Sequence, residues 1–578
     1  MCGFAGIFSP NRPLMSADIA IAERVCDRQA YRGPDACGQE IGLHFAVFHR
    51  KLSITTGGAD SDQPFVRRGV QCAFAGEIYN HKTLAVEIGA PESAFDGHVI
   101  PAGFAREGPR FLGKLEGEYA IAIRDPREKA IVLSRDRAGA RNLYFARTDG
   151  GCWIFSTELS ALVREYAINP RLDEEAMLCQ LLLQEWSPRV GTWFESIHQV
   201  APGTTVTLGN ALPQVEPYPP FSDGMKSRAD LLARAVKERL EHARTASGCL
   251  ALSGGLDSTA IAALSDFSDS PMHTFTVIGD LSDPIAVRVR RLAVKMPWLQ
   301  PNMVVLGGDE ISDSRLTDLT LEIASPVCDT TPFALAAMFR EARDRGFQYC
   351  MSGEGADDLW AGYSAEAAYV SEESVATAYI SLIDRVSANC FGDFRNGSVR
   401  KVPIIHRDAA EELARRLGSC VAHLGSSAKM QSQQVAGRPL AVLSVLGPLR
   451  RSLEQVDCLA GRYSMEARVP FCSAALLSVP WQADWCEGKQ WIRDILPESI
   501  SASFDWTKES FATRRFNDTA LSYRLDDLVD EILATKGIWT FLDKGVDGSV
   551  LRMLATANSK LWWSMIGIAR FSTVYARP

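Results

Sequence analysis

A chain of 578 residues that is 46% apolar has room for two to four domains with sizeable cores, and a net charge of −9 argues against a nucleic-acid scaffold. No run of about 18 apolar residues occurs, and the N-terminus lacks a basic region followed by an apolar core. Neither a membrane span nor an ordinary signal peptide is therefore expected, and Leu440 to Leu449 is the nearest approach to a span. Fourteen cysteines without CxxC pairs or zinc spacing read as reduced, mostly buried thiols of a cytoplasmic protein.

The chain begins Met1-Cys2-Gly3-Phe4. Loss of Met1 leaves Cys2 with a thiol and a free α-amine that can serve as its base, which makes it a candidate nucleophile. Alone, the pair reads rather as an accident of the start site with a buried cysteine. Five further stretches follow in order: Arg32-Gly33-Pro34-Asp35, His49-Arg50-Lys51-Leu52-Ser53-Ile54, Gln63-Pro64, Gly76-Glu77-Ile78-Tyr79-Asn80 and Arg135-Asp136-Arg137-Ala138-Gly139. Their order resembles the N-terminal glutaminase domain of asparagine synthetases over residues 1 to about 205. That resemblance implies an Ntn-hydrolase-like αββα sandwich in which the terminal cysteine attacks the glutamine side-chain amide and frees ammonia.

In the family a basic residue, here Lys51, holds the glutamine carboxylate. An aspartate matching Asp96 holds the amine, with Glu77 beside it. An asparagine and the next glycine amide, here Ala75 and Gly76, form the oxyanion hole. Two positions depart from the family. Lys51 replaces an arginine and loses the fork that grips a carboxylate, and Ala75 replaces the asparagine. Loss of one oxyanion donor costs about 10²–10³ in rate, so glutamine hydrolysis is expected to be impaired. The Ala75-to-Asn80 stretch also resembles β-lactam synthetases, whose N-terminal domain no longer handles glutamine.

Pro213, Pro217, Pro219 and Pro220 mark a linker, placed at 211–224 between a glutaminase-like domain (1–210) and a synthetase domain (225–578). A helix is expected from about Lys226 to Ala246, its charged residues forming a solvated face. The apolar run Cys249-Leu250-Ala251-Leu252 reads as a buried parallel strand. It enters the turn Ser253-Gly254-Gly255-Leu256-Asp257-Ser258 and then a helix. Strand, glycine turn and helix N-terminus make an anion site. Asp257 within it implies a divalent cation between carboxylate and phosphates. No Gly-Lys-Ser/Thr follows, so this is not a P-loop. It resembles the pyrophosphate-binding loop of ATP pyrophosphatases.

Met272–Ile278 reads as a second strand. The resemblance puts Leu252 and Val277 beside adenine, although from the residues alone core packing is the favoured reading of both, since buried strands are apolar anyway. Arg288, Arg290 and Arg291 read as surface charges. A third strand, Tyr349-Cys350-Met351, runs into Ser352-Gly353-Glu354-Gly355-Ala356-Asp357-Asp358, a second turn able to hold cation and phosphate. Asp257 and Asp357 are the candidate Mg²⁺ ligands, with helix capping the alternative for Asp357.

Asparagine synthetases carry glutamate at the position of Glu354 and β-lactam synthetases carry tyrosine. Glu354 is therefore the candidate group for positioning or deprotonating the attacking nitrogen. Met465 to Phe471 resembles a segment lining the acceptor site, continued here by Cys472-Ser473 instead of Leu-Asp, which points to another substrate or to a surface cap. Lys508 matches a family lysine that contacts phosphates. The tail from about Leu521 is expected to be helical, with Leu561, Trp562, Trp563 and Ile566 packing inward.

The expected fold is thus an Ntn-hydrolase-like sandwich followed by a Rossmann-like ATP-pyrophosphatase domain. The expected cofactors are ATP and Mg²⁺, and the expected partners are a small carboxylate and an amine, with glutamine and a second copy of the chain as further candidates. Nucleic acid and membrane are not expected partners. The expected activity is adenylation of a carboxylate and its amidation with release of pyrophosphate and AMP. A specialised synthetase of natural-product type, with intramolecular lactam closure as one version, stands against a glutamine-dependent asparagine synthetase.

Overall fold

β1 (Gly3–Phe8) shows how the amino-terminal half is assembled, because all six of its residues are buried. Phe4 and Phe8 point to one side, into an apolar layer with Ala75, Ala120 and Phe155. Ala5 and Ile7 point to the other, against Ala22 and Val25 of the helix Ser16–Asp27. A strand covered on both faces needs no polar alternation. Gly6 is required there, since a Cβ would lie 2.3 Å from the Phe155 ring.

The computed structural model describes residues 2–54, 61–91, 93, 95–183, 191–221, 227–241, 247–265, 271–307, 310–360, 447–479, 489–504, 506, 525–535, 548–549, 551–552 and 559–575. In its amino-terminal half lie β1, β2 (Ala36–Ile41), β3 (Phe45–Lys51), β4 (Phe65–Arg67), β5 (Val70–Ile78), β6 (Gly117–Arg124), β7 (Ile131–Arg135), β8 (Tyr144–Arg147), β9 (Trp153–Ser156), β10 (Ile197–Gln199), β11 (Thr204–Leu208) and β12 (Gln214–Pro217). They form two six-stranded sheets, ordered β10-β8-β9-β1-β3-β2 and β12-β11-β7-β6-β5-β4. Every pairing within them is antiparallel. The apolar layer around Phe4 and Phe155 lies between the sheets. The other face of the second sheet packs Phe74, Ile121 and Ile123 against the helix Val99–Glu107. This is the expected αββα sandwich. The segment expected as a linker opens with β12, an edge strand on β11, and Tyr218 just beyond it is buried.

Among the described residues the carboxyl-terminal half holds a parallel sheet of β13 (Gly248–Ala251), β14 (Met272–Ile278), β15 (Leu299–Val305), β16 (Tyr349–Met351) and β17 (Glu466–Arg468). Its order is β15-β14-β13-β16-β17. The chain therefore builds outward from β13 on one side and restarts with β16 on the other. The gap between the carboxyl ends of β13 and β16 is the switch point at which open α/β sheets bind ligands. Both glycine turns read from the sequence leave the sheet there.

The helix expected near 226–246 is described as Arg228–Glu241. Its charges are not all solvated. Arg239 is fully buried and bonds Glu118 Oε1 at 2.8 Å, because this helix packs on the amino-terminal half. Glu118 also accepts from the Val469 amide at 3.0 Å, and Arg141 spans Glu118 and the Ala467 carbonyl. Arg32 donates to Glu158 at 2.9 Å and to Asp457 at 3.1 Å, with all three side chains at 3% exposure or less. The seam between the halves is thus made of buried, compensated ion pairs. The tail is helical over Leu525–Thr535 and Ser559–Tyr575, where Leu561, Trp562, Trp563 and Ile566 are buried as expected. No helix among the described residues is long and apolar enough to cross a membrane.

Candidate active site

The first turn is fixed before any ligand arrives. The Leu252 amide donates to the Phe275 carbonyl at 2.9 Å, and Thr276 Oγ1 donates to the Leu252 carbonyl at 2.7 Å, which ties the end of β13 to β14. Gly254 then adopts φ +72°, a left-handed conformation that glycine takes without steric cost. Ser253 Oγ accepts from the Gly255 amide at 3.3 Å and lies 3.1 Å from Ser258 Oγ. Gly255 caps the helix Leu256–Ala263, whose N-terminal amides and dipole suit an anion. Leu252 and Val277 are both buried in the core. Arg288, read from the sequence as a surface charge, is only partly exposed. Its Cδ would lie 3.3 Å from a Cβ at Gly254, so its stem covers the turn.

The second turn meets the first. A Cβ at Gly353 would stand 3.3 Å from both the Asp257 Cβ and the Ser258 amide nitrogen, an approach that favours glycine at that position. The Ser352 amide donates to the Arg468 carbonyl at 3.0 Å, anchoring the turn to β17. The N-cap of the short helix Ala356–Leu359 is Gly355, with no side-chain capping bond. Capping therefore does not account for Asp357.

Asp257 and Asp357 converge on one cation that sequence reasoning missed. Lys489 Nζ lies 2.5 Å from Asp257 Oδ2 and also pairs with Asp357 Oδ1. The lysine side chain is 9% exposed. Burial works to lower its pKa, but the two carboxylates outweigh that and hold it above the ordinary lysine value. Two hard oxygen donors at one point fit Mg²⁺, which takes one or two protein carboxylates and completes its shell with phosphates and water. Among the described residues no cluster of three or more His, Cys, Asp or Glu side chains is arranged to hold a metal. A shared substrate-and-protein shell suits this pair better than a protein cage.

Glu354 lies on the second turn, where Ser452 Oγ donates to its Oε2 at 2.5 Å and Cys472 Sγ donates to its carbonyl at 3.6 Å. Ser473 is no surface cap. It is 3% exposed and accepts from the Leu476 amide, at the start of a helix whose Ala474 and Ala475 amides donate to Glu116 across the seam. Lys508 lies outside the described residues.

The glutaminase-like residues are assembled but already engaged. Cys2 Sγ is 3.8 Å from the Leu52 carbonyl, and burial pushes its thiol above the ordinary cysteine value, with Glu466 and Glu77 pushing the same way. Lys51 pairs with Asp62 at 2.7 Å. Ala75 is buried in the layer between the sheets and offers no side-chain donor. Gly76 adopts φ +128°, and a Cβ there would lie 1.9 Å from the Glu118 carbonyl oxygen. Glu77 lies 3.5 Å from Arg468 of the other half, and Asp96 accepts from the Ile78 amide at 2.6 Å.

Comparison with known proteins agrees with both halves. Residues 1–219 match the glutamine amidotransferase domain family, and residues 228–571 match the asparagine synthase family. Amidase chyE of Penicillium rubens is 26% identical over 59% of this chain and 55% of its own length. Amidase chry2 of Gibberella zeae is 25% identical over 63% of this chain and 60% of its own. A putative glutamine-hydrolyzing asparagine synthetase of Mycobacterium bovis is 28% identical over 63% of this chain and 60% of its own. The chain thus spans between 55% and 60% of the length of these relatives. With the synthase match covering more than half of its residues, the chain belongs to the asparagine synthase family.

Proposed function

We propose that the protein is an ATP-dependent amide-forming ligase that adenylates a substrate carboxylate, releases pyrophosphate and lets an amine displace AMP. The observation that carries this reading is the convergence of Asp257 and Asp357 on Lys489 at the sheet's switch point. The amides and hydroxyls of Ser253, Gly254, Gly255 and Ser258 cradle the phosphates, with Gly353 leaving the approach open. Leu252 and Val277 border the adenine. Asp257 and Asp357 hold Mg²⁺. When bound, that ion neutralises phosphate charge and orients the pyrophosphate leaving group.

Lys489 lies within reach of the same phosphates and contributes positive charge as the bond to pyrophosphate breaks. Lys508 has the same role in this proposal. Glu354, oriented by Ser452, accepts a proton from the attacking nitrogen, and the pair of electrons freed on that nitrogen forms the amide bond as AMP leaves.

The nitrogen comes, in this proposal, from an amine on the substrate itself or on a second one. Three features support weak or lost glutamine hydrolysis: Ala75 in place of an oxyanion donor, Lys51 held by Asp62, and Glu77 held by Arg468. A specialised biosynthetic role follows, with β-lactam-synthetase-like closure as its intramolecular form. Two relatives named amidases are consistent with a substrate other than aspartate. Cytoplasmic location and a homodimeric assembly belong to the same proposal.

The second reading, glutamine-dependent ammonia transfer, rests on the presence of Cys2, Asp96, Glu77 and Glu354. Glutamate release from glutamine, compared with a Cys2→Ala variant, separates the two. The first reading expects no release above the variant and unchanged pyrophosphate formation with an amine-bearing carboxylate. Release dependent on Cys2 would establish the second.

A further inference from the structure

Away from both sites, a cavity of about 370 Å³ opens on the seam between the two halves. One wall carries Arg28, Tyr31 and Arg164 of the amino-terminal half, and the other carries Asp318, Glu322 and Arg462 of the carboxyl-terminal half. The volume falls in the range of small-molecule pockets, roughly 300–1,000 Å³.

Charge is divided between the walls. The Arg164 side chain has no hydrogen bond or ion pair among the described residues, and neither has the side chain of Asp318 opposite it. Arg28 shares Glu165 with Arg24, standing 3.5 Å from that carboxylate while Arg24 takes the closer 3.1 Å contact. Burial lowers the pKa of Arg28, and Arg24 and Arg164 push the same way against Glu165, so the guanidiniums crowd one another. Across the cavity Glu322 takes Arg315 at 3.2 Å and Arg462 at 3.4 Å through the same oxygen, Oε1. Its Oε2 has no hydrogen-bond partner among the described residues. Arg462 rests over the Tyr31 ring at 4.6 Å and so links the walls without filling the space.

A simple anion would meet Asp318 and Glu322, and a simple cation would meet three guanidiniums. A ligand bearing both charges satisfies both walls. We propose that this cavity binds a free L-amino acid, its α-carboxylate on Arg28 and Arg164 and its α-ammonium toward Asp318 and Glu322. Paired charge-assisted hydrogen bonds of that kind are the strong ones. Such a ligand touches both halves and stabilises their docked arrangement by mass action. Arg462 is also the last residue of the helix Pro448–Arg462, which carries Ser452 at Glu354 and Asp457 at Arg32. Occupancy therefore bears on the element that spans the seam.

The test is a thermal-shift screen of the full chain against the twenty common L-amino acids one at a time, followed by calorimetric titration of those that raise Tm. Arg164→Ala and Asp318→Ala serve as variants, since both residues are exposed and lie in neither candidate site. At least one amino acid is expected to bind, with affinity reduced tenfold or more in each variant. Acetate and methylammonium, each carrying half the charge pattern, are expected to bind more weakly than that amino acid. Pyrophosphate release is expected to stay unchanged, which separates failure here from failure of the ligase reading. No stabilising amino acid, equal affinity in the variants, or binding of acetate as tight as that of the amino acid would each overturn the proposal.

Discussion

Lys489 Nζ stands 2.5 Å from Asp257 Oδ2 while pairing with Asp357 as well, so one ammonium links the turns that leave β13 and β16. Two carboxylates this close would repel if nothing positive lay between them. The contact explains how the turns stay joined, and in the proposed reading it marks the place where the acidic pair and a phosphate chain would share positive charge.

Lys489→Ala is expected to lower pyrophosphate release by about 10²–10³, the scale of losing one charge-stabilising donor. It should also cost about 1 kcal/mol in urea unfolding, because the aspartates are partly exposed and water screens their repulsion. Lys489→Arg, which keeps the charge, is expected to restore the stability more fully than the rate.

Glu116 gives the seam a pH dependence. Burial raises its pKa to about 7, although the Ala474 and Ala475 amides favour the charged form. A carboxyl group whose folded pKa lies above its unfolded value stabilises the fold fully below the unfolded value, near 4.5, and loses that contribution as pH rises to about 7. The expected loss across this window is on the order of 2–3 kcal/mol. Glu116→Gln, compared with the parent by urea unfolding at several pH values, should flatten the dependence. An unchanged slope would contradict this role.

Arg32 binds Glu158 of its own half and Asp457 of the other, and its Nε donates to the Cys2 carbonyl at 3.3 Å. Removing one partner of a buried ionic group leaves uncompensated charge and costs about 3–5 kcal/mol. Arg32→Ala should show that loss in urea unfolding, whereas a surface control such as Arg127→Ala, at an exposed side chain, should leave the unfolding midpoint essentially unchanged.

Much of this was legible in the chain. Met272–Ile278 and Tyr349–Met351 are short apolar runs bounded by turn residues, and both are strands with those bounds. The glycine turns were readable because anion and cation chemistry demands particular residues at adjacent positions. Lys489 was not, since it follows Asp357 by more than a hundred residues and an isolated lysine resembles any surface lysine. Arg239 misled for a related reason. A charged residue on an amphipathic helix reads as solvated until the partner that buries it, here Glu118 of the other half, is known. Ala75 was legible in another way, because the absence of a side-chain donor is visible in the sequence itself, and the structure buries the residue between the sheets.

The most direct test of the account is calorimetric titration of the full chain with ATP, with and without Mg²⁺, for the parent, Asp257→Asn and Asp357→Asn. The account predicts ATP binding that Mg²⁺ strengthens in the parent, with the Mg²⁺-dependent gain falling at least about tenfold in each variant as a carboxylate ligand is lost. Binding of ATP with the same Mg²⁺ dependence in all three proteins would contradict the assignment of these aspartates and, with it, the proposed adenylation chemistry.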